Sequence, residues 1–314
     1  MKYISSLKEG DRIRSVYLCG SRKSAVAKTG KTYESLILKD KTGQIDAKIW
    51  RPDDQGIGDF SVHDYVEITG DVSAYMGKLQ ISVTRAVRAA EGEFDPADYL
   101  PVSRNNVDAM YAEFTGYIQK VRDPFLGRLL KDIFIEDERF ADDFKKHSAA
   151  KSVHHGFVGG LLEHSLSVTK LCEFYTERYD FLNYDLLITA AMCHDIGKVC
   201  ELSDFPENDY TDEGQLLGHI VMGSEMIAKR IEKIPGFPKK LENELKHCVL
   251  AHHGELEFGS PKKPALAEAI ALNFADNTDA KLEAAREILQ NSPAAENSEW
   301  LGFNRWLDSN IRRT

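Results

Sequence analysis

The chain has 314 residues, of which 42% are hydrophobic and 29% charged, an ordinary globular composition long enough for two domains. No apolar run approaches the roughly 20 residues that span a bilayer, and the first residues lack the apolar core of a signal peptide, which argues against membrane and secreted proteins. Five scattered cysteines without Cys-x-x-Cys spacing predict reduced thiols in a cytoplasmic protein without a membrane partner.

The net charge of -10 is unevenly divided along the chain. Residues 1–90 carry 15 lysines and arginines against 11 acidic residues, whereas the remainder carries 25 against 39. This asymmetry predicts a basic module joined to an acidic body, and a basic module is the part that would attract a phosphate backbone.

Residues 1–90 contain five short stretches typical of β-strands, separated by turns centred on glycine. The predicted strands are residues 12–19, 32–39, 44–50, 65–72 and 78–84. Five strands in so short a segment predict a small closed β-barrel.

The hairpin pattern of residues 36–50, followed by residues 64–70, resembles the OB-folds that bind single-stranded nucleic acid. Rings and cations suited to stacking bases and binding phosphates lie in the same region. The candidates are Tyr33, Lys48, Trp50 and Arg51. For each residue alone, a solvated surface position, or for Trp50 a partly buried one, is the alternative.

Residues 91–150 are predicted to form a linker with Pro96 and Pro101, followed by a helical extension. Amphipathic helices are expected at 104–120 and 123–134, the second opened by Asp123 and Pro124, and a charged surface helix at 136–146. An all-α helical bundle is predicted for residues 151–290 and a short closing segment for residues 291–314.

Within the predicted bundle, an apolar run over residues 186–193 leads directly to His194 and Asp195. An imidazole beside a carboxylate suits a divalent metal, and a carboxylate can bridge two ions because it has two oxygens. Lys198 follows as a cation that could meet an anionic substrate or complement a helix C-terminus.

Nine of the ten histidines lie between His147 and His253. Ligand-type residues occur on separate predicted helices, as in metal sites built inside bundles. Besides the doublet, these residues are His164, His219, His252, His253 and Asp276. His154 and His155 precede a glycine-rich turn, where they could contact substrate, cap a helix or be exposed. His147 is predicted at the surface, and His247 is predicted to pack or to support a ligand residue.

The order of these residues resembles the HD superfamily of metal-dependent phosphohydrolases. The resemblance implies a first ion on His164, His194, Asp195 and Asp276, and a second on Asp195, His219 and one or both of His252 and His253. Manganese is the expected metal, with cobalt, iron, nickel or magnesium as alternatives. A hydroxide held between the ions would attack phosphorus, which makes His194, Asp195 and Lys198 the catalytic candidates.

The combination of an OB-like module with an HD domain resembles the YhaM family of 3′-5′ exoribonucleases, and residues 154–165 are similar to that family's entry into the HD domain. The resemblance implies hydrolysis of single-stranded RNA, with single-stranded DNA as an alternative substrate, to 5′-mononucleotides. Two other hypotheses are a phosphohydrolase of nucleotides or cyclic dinucleotides and a nucleic-acid-binding accessory protein. A homo-oligomer is compatible with each.

Overall fold

A computed structural model describes residues 2–26, 30–100, 102–151, 155–291 and 299–314, residue 291 in its backbone only. The chain divides into two compact units, Met1–Pro101 and Val102–Thr314. Among the described residues, no helix has both the length and the apolar character of a membrane span.

The first unit contains a closed five-stranded barrel, as the sequence predicted. Its strands are β1 (Arg12–Val26), β2 (Thr32–Asp40), β3 (Gly43–Ile49), β4 (Tyr65–Tyr75) and β5 (Lys78–Arg88). They follow the order β1-β2-β3-β5-β4, and β1 closes the barrel by pairing with β4. Only the β3–β5 pairing is parallel. Side chains such as Leu36 and Leu38 point inward, because alternate residues of a strand share a face.

The first unit extends about ten residues beyond the predicted boundary at residue 90. A short 3₁₀ turn at Pro96–Asp98 is bonded back to the barrel: Asp98 O accepts from the Lys41 N–H at 2.8 Å, and Asp98 Oδ1 accepts from the Tyr3 hydroxyl at 2.7 Å. The Phe94 ring stacks on Tyr65 at 3.9 Å between ring centroids. These contacts hold the segment from Phe94 to Asp98 against the barrel, although its prolines predicted a linker.

The second unit is a helical bundle with a C-terminal hairpin. Its helices are α1 (Val107–Gly116), α2 (Pro124–Lys131), α3 (Glu138–Lys146), α4 (Gly160–Arg178), α5 (Tyr184–Cys193), α6 (Lys198–Glu201), α7 (Asp212–Leu217), α8 (His219–Ile231), α9 (Lys239–Leu250) and α10 (Ala267–Asn291). Strands β6 (Trp300–Asn304) and β7 (Ser309–Arg312) form an antiparallel pair.

The predicted helical extension shares one hydrophobic core with the bundle. Helix α2 starts as expected, because Asp123 accepts hydrogen bonds from the N–H groups of the first turn. Helix α3 is charged but not confined to the surface, since it buries Phe140 and Phe144. The Phe144 ring packs 5.5 Å from Phe114 of α1, so α1–α3 form one wall of the bundle.

Candidate metal centre

The His-Asp doublet lies at the C-terminal end of a helix that is buried along nearly its whole length. Asn183 caps α5 through a hydrogen bond to Leu186, and every residue from Leu186 to Cys193 is buried. The helix ends at Cys193, and a tight turn carries His194 and Asp195 into the interior. A Cβ on Gly197 would overlap the carbonyl oxygen of His219, so this turn can pack against α8 only with glycine there.

Asp195 lies at the centre of the site, with a pair of imidazoles facing each carboxylate oxygen. Its Oδ2 lies 3.3 Å from His164 Nε2 and 3.4 Å from His194 Nε2. Its Oδ1 lies 3.4 Å from His219 Nε2 and 3.6 Å from His252 Nε2. This arrangement suits a carboxylate that bridges two cations.

Two clusters of metal-ligating side chains flank this carboxylate. In the first, Asp276 joins His164 and His194, and its Oδ1 lies 3.2 Å from His164 Nε2. In the second, His253 joins His219 and His252, and the ring centroids of His252 and His253 are 4.3 Å apart. All seven predicted ligand residues therefore converge in one buried region.

Each of the five clustered imidazoles donates its Nδ1–H to an oxygen that can only accept a hydrogen bond. For His194, His252 and His253 the acceptors are backbone carbonyls of Ala191, Val249 and Phe258. For His164 and His219 the acceptors are the carboxylates of Asp279 and Glu201, at 2.7 and 2.9 Å. These bonds fix the ring orientation and leave each Nε2 as the atom available to a metal.

Asp279 and Glu201 also contribute to the site, although the sequence did not predict a role for them. Asp279 lies one helical turn after Asp276 and accepts hydrogen bonds from His155, His164 and Ser167. Glu201 lies one turn after Lys198, in the short helix α6. Their spacing was the only signal in the sequence, and acidic residues one turn from a polar residue are common on exposed helices.

The polar atoms of the site fit a divalent metal. Within the described part of the chain, both oxygens of Asp195, His219 Nε2 and His252 Nε2 are buried and take part in no hydrogen bond of normal geometry. Leaving such an atom unsatisfied costs about 1–3 kcal/mol. Divalent cations bound to mixed imidazole and carboxylate donors would satisfy all four atoms at once.

The electrostatics of the two clusters differ. Burial lowers the pKa of His164, but the three carboxylates beside its ring, those of Asp195, Asp276 and Asp279, outweigh burial and raise that pKa well above the ordinary value. Burial and the neighbouring His252 lower the pKa of His253 to about 4. Burial opposes ionisation of Asp195, yet the charges of Lys198 and His194 hold its pKa well below the ordinary value. The carboxylate is therefore ionised, and its negative field favours cations.

The remaining candidates of the helical unit take distinct positions. Lys198 Nζ lies 2.7 Å from Asp195 Oδ2, and its side chain is 15% exposed. His155 is buried, with its Nε2 3.0 Å from Asp279 Oδ2, so its ring lies against that carboxylate rather than at an open surface. His154 lies outside the described residues. The prediction that His147 is a surface residue was wrong, because it is only 4% exposed.

Three of the four barrel candidates lie together at the β2–β3 hairpin. The rings of Tyr33 and Trp50 are 5.1 Å apart, and Trp50 is 48% exposed. Lys48 Nζ lies 6.0 Å from the centre of the Tyr33 ring and donates a hydrogen bond to Ser35. Arg51 follows Trp50 with an exposed side chain, and no side-chain partner is seen for it in the described residues.

Family models match both parts of the chain: an HD domain over residues 161–281 and an OB-fold nucleic acid binding domain over residues 10–88. The 3′-5′ exoribonuclease YhaM of Geobacillus sp. is 34% identical over 92% of this chain and 89% of the relative. YhaM of Listeria innocua is 32% identical over 92% of each chain. The chain belongs to the YhaM family of 3′-5′ exoribonucleases. As a member of that family it is an enzyme, a hydrolase of phosphodiester bonds.

Among solved structures, the second OB-fold domain of replication protein A from Methanococcus maripaludis is 26% identical to this chain, with a TM-score of 0.24. The match covers 30% of this chain and 100% of that domain. A replication protein A heterotrimer bound to single-stranded DNA is 18% identical, with a TM-score of 0.21, and covers 28% of this chain and 64% of that one.

Proposed function

We propose that this protein is a divalent-metal-dependent 3′-5′ exoribonuclease that hydrolyses single-stranded RNA to 5′-mononucleotides. The observation that carries the proposal is the placement of Asp195 between two pairs of imidazoles, with both oxygens buried, Oδ2 in an ion pair with Lys198 and Oδ1 without a hydrogen-bond partner among the described residues. An enzyme that cleaves phosphodiesters needs positive charge beside the reacting phosphate, and this site is built to hold it.

In the proposed mechanism, His164, His194, Asp195 and Asp276 would hold one ion, and Asp195, His219, His252 and His253 a second. Two ions bound there would lower the pKa of a water molecule and would neutralise charge on the phosphate oxygens. Two carboxylates orient proposed ligands through hydrogen bonds from Nδ1. Asp279 orients His164, and Glu201 orients His219. Lys198, anchored on Asp195, is the protein cation available to a phosphate oxygen. Manganese is the metal we expect.

The barrel is proposed to hold the RNA strand. Tyr33 and Trp50 offer rings on which unpaired bases can stack, and Lys48 and Arg51 offer cations for the backbone. Stacking accepts any base, so this surface suits an enzyme that removes nucleotides one after another without a sequence requirement. Single-stranded DNA, a homo-oligomer and a cytoplasmic location remain predictions.

The experiment that tests the proposal follows the length of a 5′-labelled single-stranded RNA incubated with the protein and Mn²⁺. A second RNA of the same sequence carries a blocked 3′ end. We expect a ladder that shortens from the 3′ end, no shortening of the blocked RNA, and no reaction after chelation. His194→Ala and Asp195→Ala should each remove the activity, because they remove ligands from one or both clusters.

The matched control is His247→Ala. Its Nε2 accepts a hydrogen bond from the Ala265 N–H at 2.8 Å, so it is a structural histidine of the same unit that lies outside the clusters, and its removal should leave the ladder in place. Intact RNA with folded, metal-loaded protein would contradict the proposal. Release of phosphate from nucleotides or cyclic dinucleotides under the same conditions would instead support a small-molecule phosphohydrolase.

A further inference from the structure

The C-terminal hairpin presents aromatic rings and a guanidinium group on one face. Trp300 pairs with Arg312 and Phe303 with Asn310 across the two strands. Directly paired residues lie on the same face, and Asn310 and Arg312 are two positions apart on β7. The register shift between Trp300 and Gly302 therefore brings Trp300 and Phe303 to one face. We call Trp300, Phe303 and Arg312 the aromatic face.

The aromatic face is open to solvent. Trp300 is 58% exposed and Phe303 60% exposed, and the Arg312 guanidinium lies 6.0 Å from the centre of the Trp300 ring. Trp306, in the connecting turn, is 62% exposed and adjoins the exposed Arg305. Three large rings exposed in one short hairpin are unusual for a surface that binds nothing.

The charge of the hairpin distinguishes it from the acidic body to which it belongs. Residues 299–314 carry three arginines against two acidic residues, whereas residues 91–314 as a whole carry 25 basic against 39 acidic residues. Arg312 forms an ion pair with Glu299, but both side chains are more than half exposed. Such a pair is weak in water and can be exchanged for a phosphate. Rings beside exchangeable guanidinium groups are the chemistry that holds an unpaired nucleic-acid strand.

We propose that the aromatic face binds single-stranded nucleic acid by stacking bases on Trp300 and Phe303 and pairing Arg312 with the phosphate backbone. The proposal rests on the proposed function, because it extends the RNA path of the same enzyme. Charge complementarity favours a nucleic-acid strand, because the phosphate backbone is opposite in charge to Arg312, whereas a symmetric contact with a second copy of this chain would set one Arg312 against another.

The hairpin is tethered to the far end of the helix that carries Asp276. Arg313 donates a hydrogen bond to Leu289 O at 2.9 Å. Leu289 lies after Asp276 on α10, about 20 Å further along the helix axis. The aromatic face therefore contacts nucleotides away from the reacting phosphate. Loss of the aromatic face should weaken the binding of long substrates and leave the binding of a dinucleotide unchanged.

The test measures binding of a fluorescein-labelled oligouridylate to the full-length protein by anisotropy, in chelator so that no hydrolysis occurs. Phe303→Ala should raise the Kd by about fivefold or more, since one base stack is lost. Phe303→Tyr keeps a ring and should bind like the wild type, whereas Phe303→Leu should resemble Phe303→Ala. Arg312→Ala should reduce the slope of log Kd against log salt by about 0.7.

The matched control is Phe181→Ala, which removes a ring that is 69% exposed in the same unit and should leave the Kd unchanged. Equal Kd values for the wild type and Phe303→Ala would overturn the proposal. So would a Phe303→Ala variant whose only change is a smaller mass in light scattering, because the face would then join copies of the chain.

The same variants separate this proposal from the exonuclease proposal. With Mn²⁺, Phe303→Ala should raise KM for the long RNA and leave the hydrolysis of a dinucleotide unchanged. If the wild type binds the oligouridylate but never shortens it, the exonuclease proposal is contradicted. The Kd values of the wild type and Phe303→Ala can still be compared. If the wild type shortens RNA and Phe303→Ala has the same Kd and KM as the wild type, the proposal for the aromatic face is contradicted and the exonuclease proposal is not.

Discussion

One carboxylate oxygen of Glu201 accepts two hydrogen bonds from His219, one from its backbone N–H at 3.0 Å and one from Nδ1 at 2.9 Å. Burial opposes the charge of Glu201, but these bonds hold its pKa below the ordinary value. Because His219 is the first residue of α8, the same carboxylate caps the helix and orients the imidazole. The position of the His219 imidazole, a proposed metal ligand, is thus coupled to the start of a helix.

We expect Glu201→Ala to lower the affinity for Mn²⁺ by about 10- to 100-fold, the usual effect of removing a partner that orients a ligating histidine. Glu201→Gln should lower it less, because an amide oxygen still accepts the Nδ1 hydrogen bond. Calorimetric titration of metal-free protein measures both. Glu213→Ala, at an exposed position in α7, is the control. Wild-type affinity in Glu201→Ala would show that the first turn of α8 positions His219 without this carboxylate.

Asp279 accepts hydrogen bonds from His164 of the other cluster and from His155 and Ser167 beside it, so its substitution should act on the metal site through His164. Burial opposes ionisation, yet the His155 and His164 hydrogen bonds keep its pKa far below the ordinary value. Asp279→Asn leaves only one acceptor oxygen for three donors, so we expect metal affinity and kcat/KM to fall by about 10-fold or more. Ser167→Ala, which removes one donor and no acceptor, should have a smaller effect.

Glu283→Gln, one turn further along α10, is the control for Asp279 because Glu283 pairs with the half-exposed Arg286 rather than with a ligand. Metal affinity and kcat/KM should then stay near the wild-type values. If Asp279→Asn and Glu283→Gln behave alike, the carboxylate of Asp279 does not orient His164.

The residues of the two clusters were predictable from the sequence, whereas Asp279 and Glu201, which accept hydrogen bonds from two of them, were not. His194 and Asp195 end an apolar run, and buried polar residues of that kind need partners, so the pattern itself indicated a site. Asp279 and Glu201 look like ordinary helical acids, because their roles depend on which histidine the fold brings within 3 Å. His147 was misplaced for the same reason: burial of a single histidine depends on tertiary packing that local sequence does not encode.

The strands of the barrel begin within one residue of their predicted starts, since alternation and glycine turns are local signals, but β1, β4 and β5 run on to Val26, Tyr75 and Arg88 rather than ending at residues 19, 72 and 84. The end of the first unit was not predicted from the sequence. Its position depends on Phe94 stacking against Tyr65 and on hydrogen bonds to Asp98, which join residues far apart in sequence. Prolines at 96 and 101 indicated a break in regular structure correctly, but a break in regular structure is not a domain boundary.

Gly197, in the turn that carries His194 and Asp195, should not tolerate a side chain. An added Cβ would overlap His219 O and lie 2.7 Å from Gly223 N, both rigid backbone atoms of α8. We expect Gly197→Ala to destabilise the protein by about 1–3 kcal/mol, as overpacking does, and to weaken metal binding by separating Asp195 from His219. Urea unfolding and metal titration measure the two effects.

Gly127→Ala provides the contrast, because its closest contact is an ordinary 3.9 Å and it lies inside α2. Replacing a helical glycine by alanine should stabilise the protein by about 0.5–1 kcal/mol. Equal stability of the two variants would mean that α8 can move away from the His-Asp turn at little cost.

Asp137 should make the stability of the second unit depend on pH. Its side chain accepts a hydrogen bond from the Phe140 N–H at the start of α3 and pairs with Arg230 of α8, and both interactions lower its pKa. A carboxyl with a depressed pKa stabilises the folded state above its unfolded pKa of about 3.9 and loses that contribution as the pH falls through the folded pKa. Asp137→Asn retains a capping oxygen and removes only the charge.

We therefore expect Asp137→Asn to lower the free energy of unfolding by about 1 kcal/mol at pH 7, and the difference from the wild type to shrink below about pH 4. Chemical denaturation across this range measures it. Asp123→Asn, which changes a capping carboxylate with no ion pair to arginine or lysine in the described chain, should stay closer to the wild type at pH 7. A difference that stays constant down to the lowest pH would contradict the prediction, because it would not arise from the charge of Asp137.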